Sequence, residues 1–284
     1  WIASPLCGGK WVSAPAPHFR TSFDLPWKPT RAVLYGTALG LLEPHLNGQR
    51  VGDERFFPGW THYHRHVDYA AWDVTGVVTE GANVLGAILG DGWYAGHVAN
   101  VGRQVYGDRP QLLMQLEITG PDGQSMRVAT DDAWRTSDGP VLAADIYMGE
   151  HHDARRAMPG WDASGFDDAQ WTTALIGEGT PAELVPMDGP PVRATEEVVP
   201  VADPRRTYTW NASSCVYDLG QNMVGVARLK LTYRAGGTVK IRYAEMLDGN
   251  KPYYENLRTA AATDSYTFAT DGEEVWEPRF TFHG

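Results

Sequence analysis

A two-residue rhythm of side chains, broken at short intervals by glycine and proline, constrains this chain more than any other feature. Leu112, Met114, Leu116 and Ile118 alternate with Leu113, Gln115, Glu117 and Thr119. Gly120-Pro-Asp-Gly123 predicts a turn, and Met126 and Val128 carry the rhythm back as an antiparallel partner. Leu229, Leu231 and Tyr233 alternate with Arg228, Lys230 and Thr232. Arg234-Ala-Gly-Gly237 then turns the chain, and Val239, Ile241 and Tyr243 alternate with Lys240 and Arg242. That pattern predicts a second antiparallel pair, apolar on one face and charged on the other. Asn83 to Leu89 is a short apolar run between Gly81 and Gly90 and is expected to be a buried strand. Helical patterning is scarce: a short helical turn is expected within 162–171, around Asp167-Asp-Ala-Gln, and nothing longer than about three turns. The fold class expected is therefore all-β, made of antiparallel sandwiches.

A length of 284 residues exceeds the roughly 100–200 of one domain and predicts two. Pro181, Pro186, Pro190, Pro191 and Pro200 crowd the stretch between Leu175 and Pro204. Proline cannot donate into a central ladder, so this stretch is expected to be edge or connector. The boundary is placed near 190, giving domains 1–190 and 191–284. The chain opens on Trp1-Ile-Ala-Ser-Pro, with no basic start or apolar run that would suggest a signal peptide. It stops at Phe280-Thr-Phe-His-Gly284 with no polar tail. It reads as a piece of a longer protein, its second sandwich incomplete at the C-terminal end.

The net charge of −11 argues against nucleic acid and anionic membrane as partners. No stretch of 18 apolar residues is present that would span a bilayer. Cys7 and Cys215 exclude a dense disulfide framework; two unrelated buried thiols are expected, with a single bridge as the alternative. Neither a Gly-x-Ser-x-Gly elbow nor a phosphate loop occurs. On a strand, His62, His64 and His66 would share one face. They are expected to form a polar face backed by Tyr63 and Val67, the alternative being a zinc site. His151 and His152, beside Asp153, would point apart. The carboxylate pairs to weigh are Glu150 with Asp153, Asp167 with Asp168, and Glu245 with Asp248. Asp167 and Asp168 suit a turn, and Glu245, at a strand end, is placed to line a cleft. No apolar pocket that would raise a carboxyl's pKa is evident around any of them, so no catalytic residue is assigned. Asn211-Ala-Ser213 is a glycosylation sequon.

Aromatic residues are plentiful, with 11 Trp and 13 Tyr. Two clusters stand out: Phe56-Phe-Pro-Gly-Trp60 with Tyr63, and Gly90-Asp-Gly-Trp-Tyr-Ala-Gly96. Sugars have apolar C–H faces and polar hydroxyls, so flat rings beside acceptors suit them. Trp60, Tyr63, Trp93 and Tyr94 are the candidate stacking rings, and Asp91 the candidate acceptor. Core packing is the alternative reading of the same residues.

With these motifs in view, the chain resembles bacterial α-L-rhamnosidases of glycoside hydrolase family 78. The likeness runs through Trp1-Ile, Pro15-Ala-Pro-His-Phe-Arg20, Leu46-Asn-Gly-Gln-Arg-Val-Gly52, Pro58-Gly-Trp-Thr61, Leu89-Gly-Asp-Gly-Trp-Tyr-Ala-Gly96 and Tyr106-Gly-Asp-Arg-Pro110. It continues through Gly149-Glu150, Asp153-Ala-Arg155, Gly160-Trp161, Gly165-Phe-Asp-Asp168 and Trp171. Further on come Asp218-Leu-Gly-Gln-Asn222, Tyr243-Ala-Glu245, Asn256-Leu-Arg258, Thr263-Asp264 and Pro278-Arg-Phe-Thr-Phe-His-Gly284. The resemblance implies a first sandwich like a carbohydrate-binding module and a second, concanavalin-like one, both of jelly-roll type. It implies an inverting hydrolysis of terminal α-L-rhamnose whose general acid and base lie in a helical barrel downstream, with no cofactor required. It also implies calcium-dependent rhamnose binding by the first sandwich in some relatives. Asp53 and Asn100 are the candidate ligands here, with Glu54 beside the first; His97 stands where an amide would suit calcium better. The readings in competition are an accessory region of an α-L-rhamnosidase, a stand-alone rhamnose-binding module, and a scaffold that binds nothing.

Overall fold

The computed structural model describes residues 1–208, 213–249 and 251–284. Asn211 of the sequon lies outside the described residues. Antiparallel sheets dominate, and the longest α-helix among the described residues is the four-residue Gly92–Ala95. No helix among them is long and apolar enough to cross a membrane.

The first sandwich packs two sheets face to face. One has seven strands, in the order Leu175–Ile176, Ile2–Ala3, Gln111–Thr119, Arg31–Leu39, His66–Asp73 and Glu183–Pro186, with Ser125–Ala129 also paired to Gln111–Thr119. The other has six, in the order Thr172–Thr173, Arg135–Asp138, Pro17–Leu25, Gly81–Gly90, Leu41–Leu46 and Gln49–Arg50. The two-residue rhythm decides which side chains enter the core. Leu112, Met114, Leu116 and Ile118 are all buried, meeting Phe19, Leu25, Leu34, Leu42, Leu85 and Leu89 from neighbouring strands and the opposite sheet. The expected hairpin is present in its register, Leu116 opposite Val128 and Ile118 opposite Met126. Trp134 is fully buried in the same core and donates its indole N–H to the Ala129 carbonyl at 2.9 Å. Truncating such a ring to alanine costs about 3–5 kcal/mol.

Gly81–Gly90 is a strand buried on both faces, which explains its unbroken apolar run. Its outer face is covered by Trp161 and Phe280. A Cβ at Gly86 would meet Trp161 at 2.7 Å, and one at Gly90 would meet Phe280 at 2.6 Å. Phe280, near the end of the chain, thus lies in one cluster with Leu41, Ile88, Val141, Ala144 and Ile146.

A four-stranded sheet joins the two halves of the sequence. Val141–Asp145 and Gly149–Asp153 stand beside Thr263–Thr267 and Thr238–Arg242. Gly149–Asp153 and Thr263–Thr267 run parallel, with His151 opposite Ser265 and His152 opposite Tyr266. Between the halves, residues 187–204 contain neither strand nor helix, and Glu183–Pro186 is a sheet edge.

Several expectations need correction. The strands at 229–233 and 238–242 exist but do not pair with each other. Leu229–Tyr233 pairs with Gly272–Trp276, and Thr238–Arg242 with Thr263–Thr267. Their apolar faces meet across a gap filled by Tyr266, Phe268 and Trp276, so the turn at 234–237 crosses between sheets. Residues 162–171 form reverse turns, not a helical turn, closed by Ala163 N–H to the Gly160 carbonyl and Trp171 N–H to the Asp168 carbonyl. His62 and His64 sit on a turn, because the amides of Arg65 and His66 both donate to the His62 carbonyl; the strand begins only at His66. Tyr63 and Val67 are buried, as expected of the residues behind them. Cys7 and Cys215 are both free and exposed, not buried.

Candidate sugar-binding site

Asp91 ends the buried strand and opens the short helix Gly92–Ala95, a position that aims it inward. Its Oδ2 accepts from Arg103 Nη2 at 2.6 Å and from the Ser13 hydroxyl at 2.7 Å. Arg103 also donates Nη1 to Asp145 at 2.8 Å, and Asp145 in turn accepts from the amides of His97, Tyr147 and Met148. Burial pushes the Asp91 carboxyl up against the pull of Arg103. Oδ2 of Asp91 is therefore engaged within the protein. Tyr63 and Tyr94 are buried too, edge to face with ring centroids 5.2 Å apart. Tyr63 hydrogen-bonds the Gly59 carbonyl, so both tyrosines belong to the core reading.

Trp60 and Trp93 are brought together and stack nearly parallel, 6.0 Å apart at 9°. Trp60 is 53% exposed, and its indole N–H reaches the Tyr106 hydroxyl at 3.3 Å. Trp93 is half-buried and leans on Phe282, which leans on Phe56. Of the four candidate rings, this pair retains the most accessible surface.

The calcium ligands do not fit a cation. Asp53 is exposed and paired with Arg193 at 2.6 Å, so a cation would have to displace that arginine. Glu54 is taken by Arg193 and by the Trp72 indole N–H. Asn100 lies exposed in the turn between His97–Val98 and Gly102–Arg103. Among the described residues no group of three or more His, Cys, Asp or Glu side chains gathers to hold a metal.

A better-formed surface escaped the sequence reading. On the outward face of the seven-stranded sheet, Tyr35 and Tyr69 lie on adjacent strands with centroids 6.4 Å apart. With Pro186, Met187 and Pro191 they line a groove of about 380 Å³ at the sheet edge; Glu54 and Arg193 close its polar end, and Trp72, which also borders it, turns its ring to the core against Phe57. The hydroxyls of Tyr35 and Tyr69 have no hydrogen-bond partner among the described residues. The signal was present: Tyr35 sits out of phase with Leu34 and Ala32, so it faces outward. It was hidden because its partner Tyr69 is 34 positions on, and only the pairing Tyr35 to Ala71 sets them on one face.

The carboxylate pairs resolve separately. Asp167 accepts the Ala169 amide, as a turn former does, and Asp168 pairs with Arg20. Asp153 pairs with Arg155 at 2.7 Å, and Glu245 is exposed and accepts from Asn256. Glu150 overturns the expectation that no carboxyl is buried. It is 0% exposed, and burial pushes it up to about 7 against the Arg279 and Phe280 amides that donate to Oε2.

As a class, then, this is a double β-sandwich, its halves tied through a shared sheet, with aromatic rings left on the surface of the first. The family is narrower. Residues 27–196 match the alpha-L-rhamnosidase N-terminal domain, and residues 208–284 match the bacterial alpha-L-rhamnosidase concanavalin-like domain. The chain belongs to the α-L-rhamnosidase N-terminal domain family. It is 46% identical over 288 residues to an α-L-rhamnosidase of Streptomyces avermitilis, covering 100% of this chain and 28% of that protein. An α-L-rhamnosidase from an Alteromonas species is 36% identical over 94% of this chain and 29% of its own length. Among solved structures, the Streptomyces avermitilis enzyme complexed with L-rhamnose superposes with a TM-score of 0.89 at 45% identity, over 96% of this chain and 26% of that one. The Aspergillus terreus α-L-rhamnosidase gives 0.91 at 34% identity, over 100% of this chain and 33% of that one. The chain thus spans less than a third of the curated relatives it matches.

Proposed function

We propose that this chain is the accessory β-sandwich region of an enzyme that hydrolyses terminal α-L-rhamnose from glycosides. The observation that carries the reading is similarity along the whole chain to α-L-rhamnosidases, 46% identical in one case. The general acid and the water-activating base of an inverting hydrolysis are supplied by a helical domain outside these residues. Asp153 and Asp168 pair with arginines, Asp167 and Glu150 with backbone amides and Glu245 with Asn256, and Glu43 and Glu277, which line one cavity, are each held by two arginines. The purified 284-residue chain should therefore leave 4-nitrophenyl α-L-rhamnoside intact, whereas the whole reading frame that encodes it should cleave it. Turnover by the chain alone overturns the division of labour, and an inactive whole protein overturns the assignment.

A second reading is favoured by one surface. The groove of Tyr35 and Tyr69 offers apolar rings, free phenolic hydroxyls and a charged end, the combination a sugar face needs. In this reading the first sandwich holds L-rhamnose without calcium. Titration calorimetry with L-rhamnose, with and without added calcium or chelator, tests it. Binding unaffected by chelator and lost in Tyr69→Ala supports the groove; calcium-dependent binding, or none, counts against it.

A further inference from the structure

We propose that the cleft between the two sandwiches is a binding site for a sugar carboxylate, that is, for a hexuronate unit of a glycan. The carbohydrate part rests on the rhamnosidase reading above; the carboxylate part rests on the cleft itself. Its walls come from both halves of the chain: Glu43, Arg50 and Arg55 from the first, His152 from the shared sheet, and Trp276, Glu277 and Arg279 from the second. Its volume of about 340 Å³ lies at the lower end of the roughly 300–1,000 Å³ of small-molecule sites, which favour such junctions.

Charge selects the ligand. Three arginines face two glutamates, leaving one positive charge in a chain whose net charge is −11. His152 adds nothing at neutral pH, because burial holds it down at about 4. The excess resides in a specific edge. Glu43 serves Arg279, Arg50 and His45 together, and Glu277 serves Arg55 and Arg228. Arg279 spends only Nη1, on Glu43; its Nε and Nη2 meet no carboxylate among the described residues, and its side chain is 41% exposed. Nε and Nη2 form the flat edge of a guanidinium that takes a carboxylate through two parallel hydrogen bonds. The backbone of Arg279 is held by its amide donating to the buried Glu150, so the edge is presented from a fixed point. Trp276, 7% exposed and stacked with Tyr266 close to His152, reaches the cleft only at its margin, and its buried indole nitrogen lacks a partner among the described residues. A single carboxylate on a sugar ring matches this set; a neutral sugar leaves the guanidinium edge empty.

The test is titration calorimetry on the 284-residue chain at low salt with galacturonate, glucuronate, galactose and galactose 6-sulfate. Both uronates should bind about tenfold or more tightly than galactose, and binding should weaken as salt rises. Arg279→Lys keeps the charge beside Glu43 but removes the flat edge, and should weaken uronate binding about tenfold with the melting temperature held. Because Arg279 also packs, Arg55→Gln provides a second variant with the same expected direction. The Trp276 indole N–H resonance, assigned with Trp276→Phe, should shift on adding galacturonate. Absence of uronate binding, galactose binding as tightly, or an unchanged Arg279→Lys overturns the site. Galactose 6-sulfate binding as well as galacturonate overturns the carboxylate assignment. Cleavage of a rhamnoside by the whole protein is a separate readout, so either reading can fail without the other.

Discussion

One guanidinium, Arg103, holds two buried carboxylates, Asp91 and Asp145, at 2.6 and 2.8 Å. Its side chain is 2% exposed, so its loss strands both anions away from water. Arg103→Met should destabilise the chain by about 3–5 kcal/mol, read from urea unfolding, and Arg103→Lys should recover only part of that. Glu150 makes a different kind of residue-scale prediction. Its folded pKa of about 7 lies above the ordinary 4.5, so the folded state holds a proton that the unfolded state releases first. Its contribution is full below 4.5, declines as pH rises to about 7, and is gone above that. His18, held down at about 3, and His152, at about 4, act in the opposite sense below their ordinary 6.5. The informative quantity is thus the difference between wild type and Glu150→Gln. Stability of the variant relative to wild type should climb between pH 4.5 and 7; a flat difference would show that Glu150 ionises normally. At this scale the sequence was readable in part. Asp167 forms the turn its neighbours suggest, whereas the pairing of Asp91 with Arg103 has nothing local to announce it, since the two are twelve positions apart.

Strands were more legible than their partners. The rhythm of Leu112 to Ile118 fixes a buried face wherever the strand lies, and a close turn left little choice of neighbour. Leu229–Tyr233 and Thr238–Arg242 have the same rhythm and an equally tight turn, yet they enter different sheets. Alternation states that one face is apolar; it is silent on whether that face meets its sequence neighbour beside it or across a core. The shared sheet depends on Gly149, whose φ is +116° and whose Cβ, if present, would lie 2.1 Å from the Thr263 carbonyl oxygen. Gly149→Ala should therefore cost more than about 2 kcal/mol, since backbone opposes it on both counts. Amide exchange should quicken together in 149–153 and 263–267, while the hairpin at 111–129 keeps its protection.

For the whole molecule, the parallel pairing of Gly149–Asp153 with Thr263–Thr267 and the burial of Phe280 against Gly90 join the two sequence units. Calorimetry should show one cooperative unfolding transition, and a chain cut after residue 190 should melt lower and aggregate. It would expose Ile88, Leu41 and the bare edge at 149–153. Two separated transitions would mean the shared sheet is energetically minor. The all-β class and a buried strand at 83–89 followed from the sequence alone, because side-chain period and turn chemistry are local properties. Which strands became neighbours, which carboxylates met an arginine, and which aromatic rings stayed at the surface were decided only by tertiary structure. Those outcomes depend on residues tens to hundreds of positions apart arriving at one place, and no local pattern carries that information.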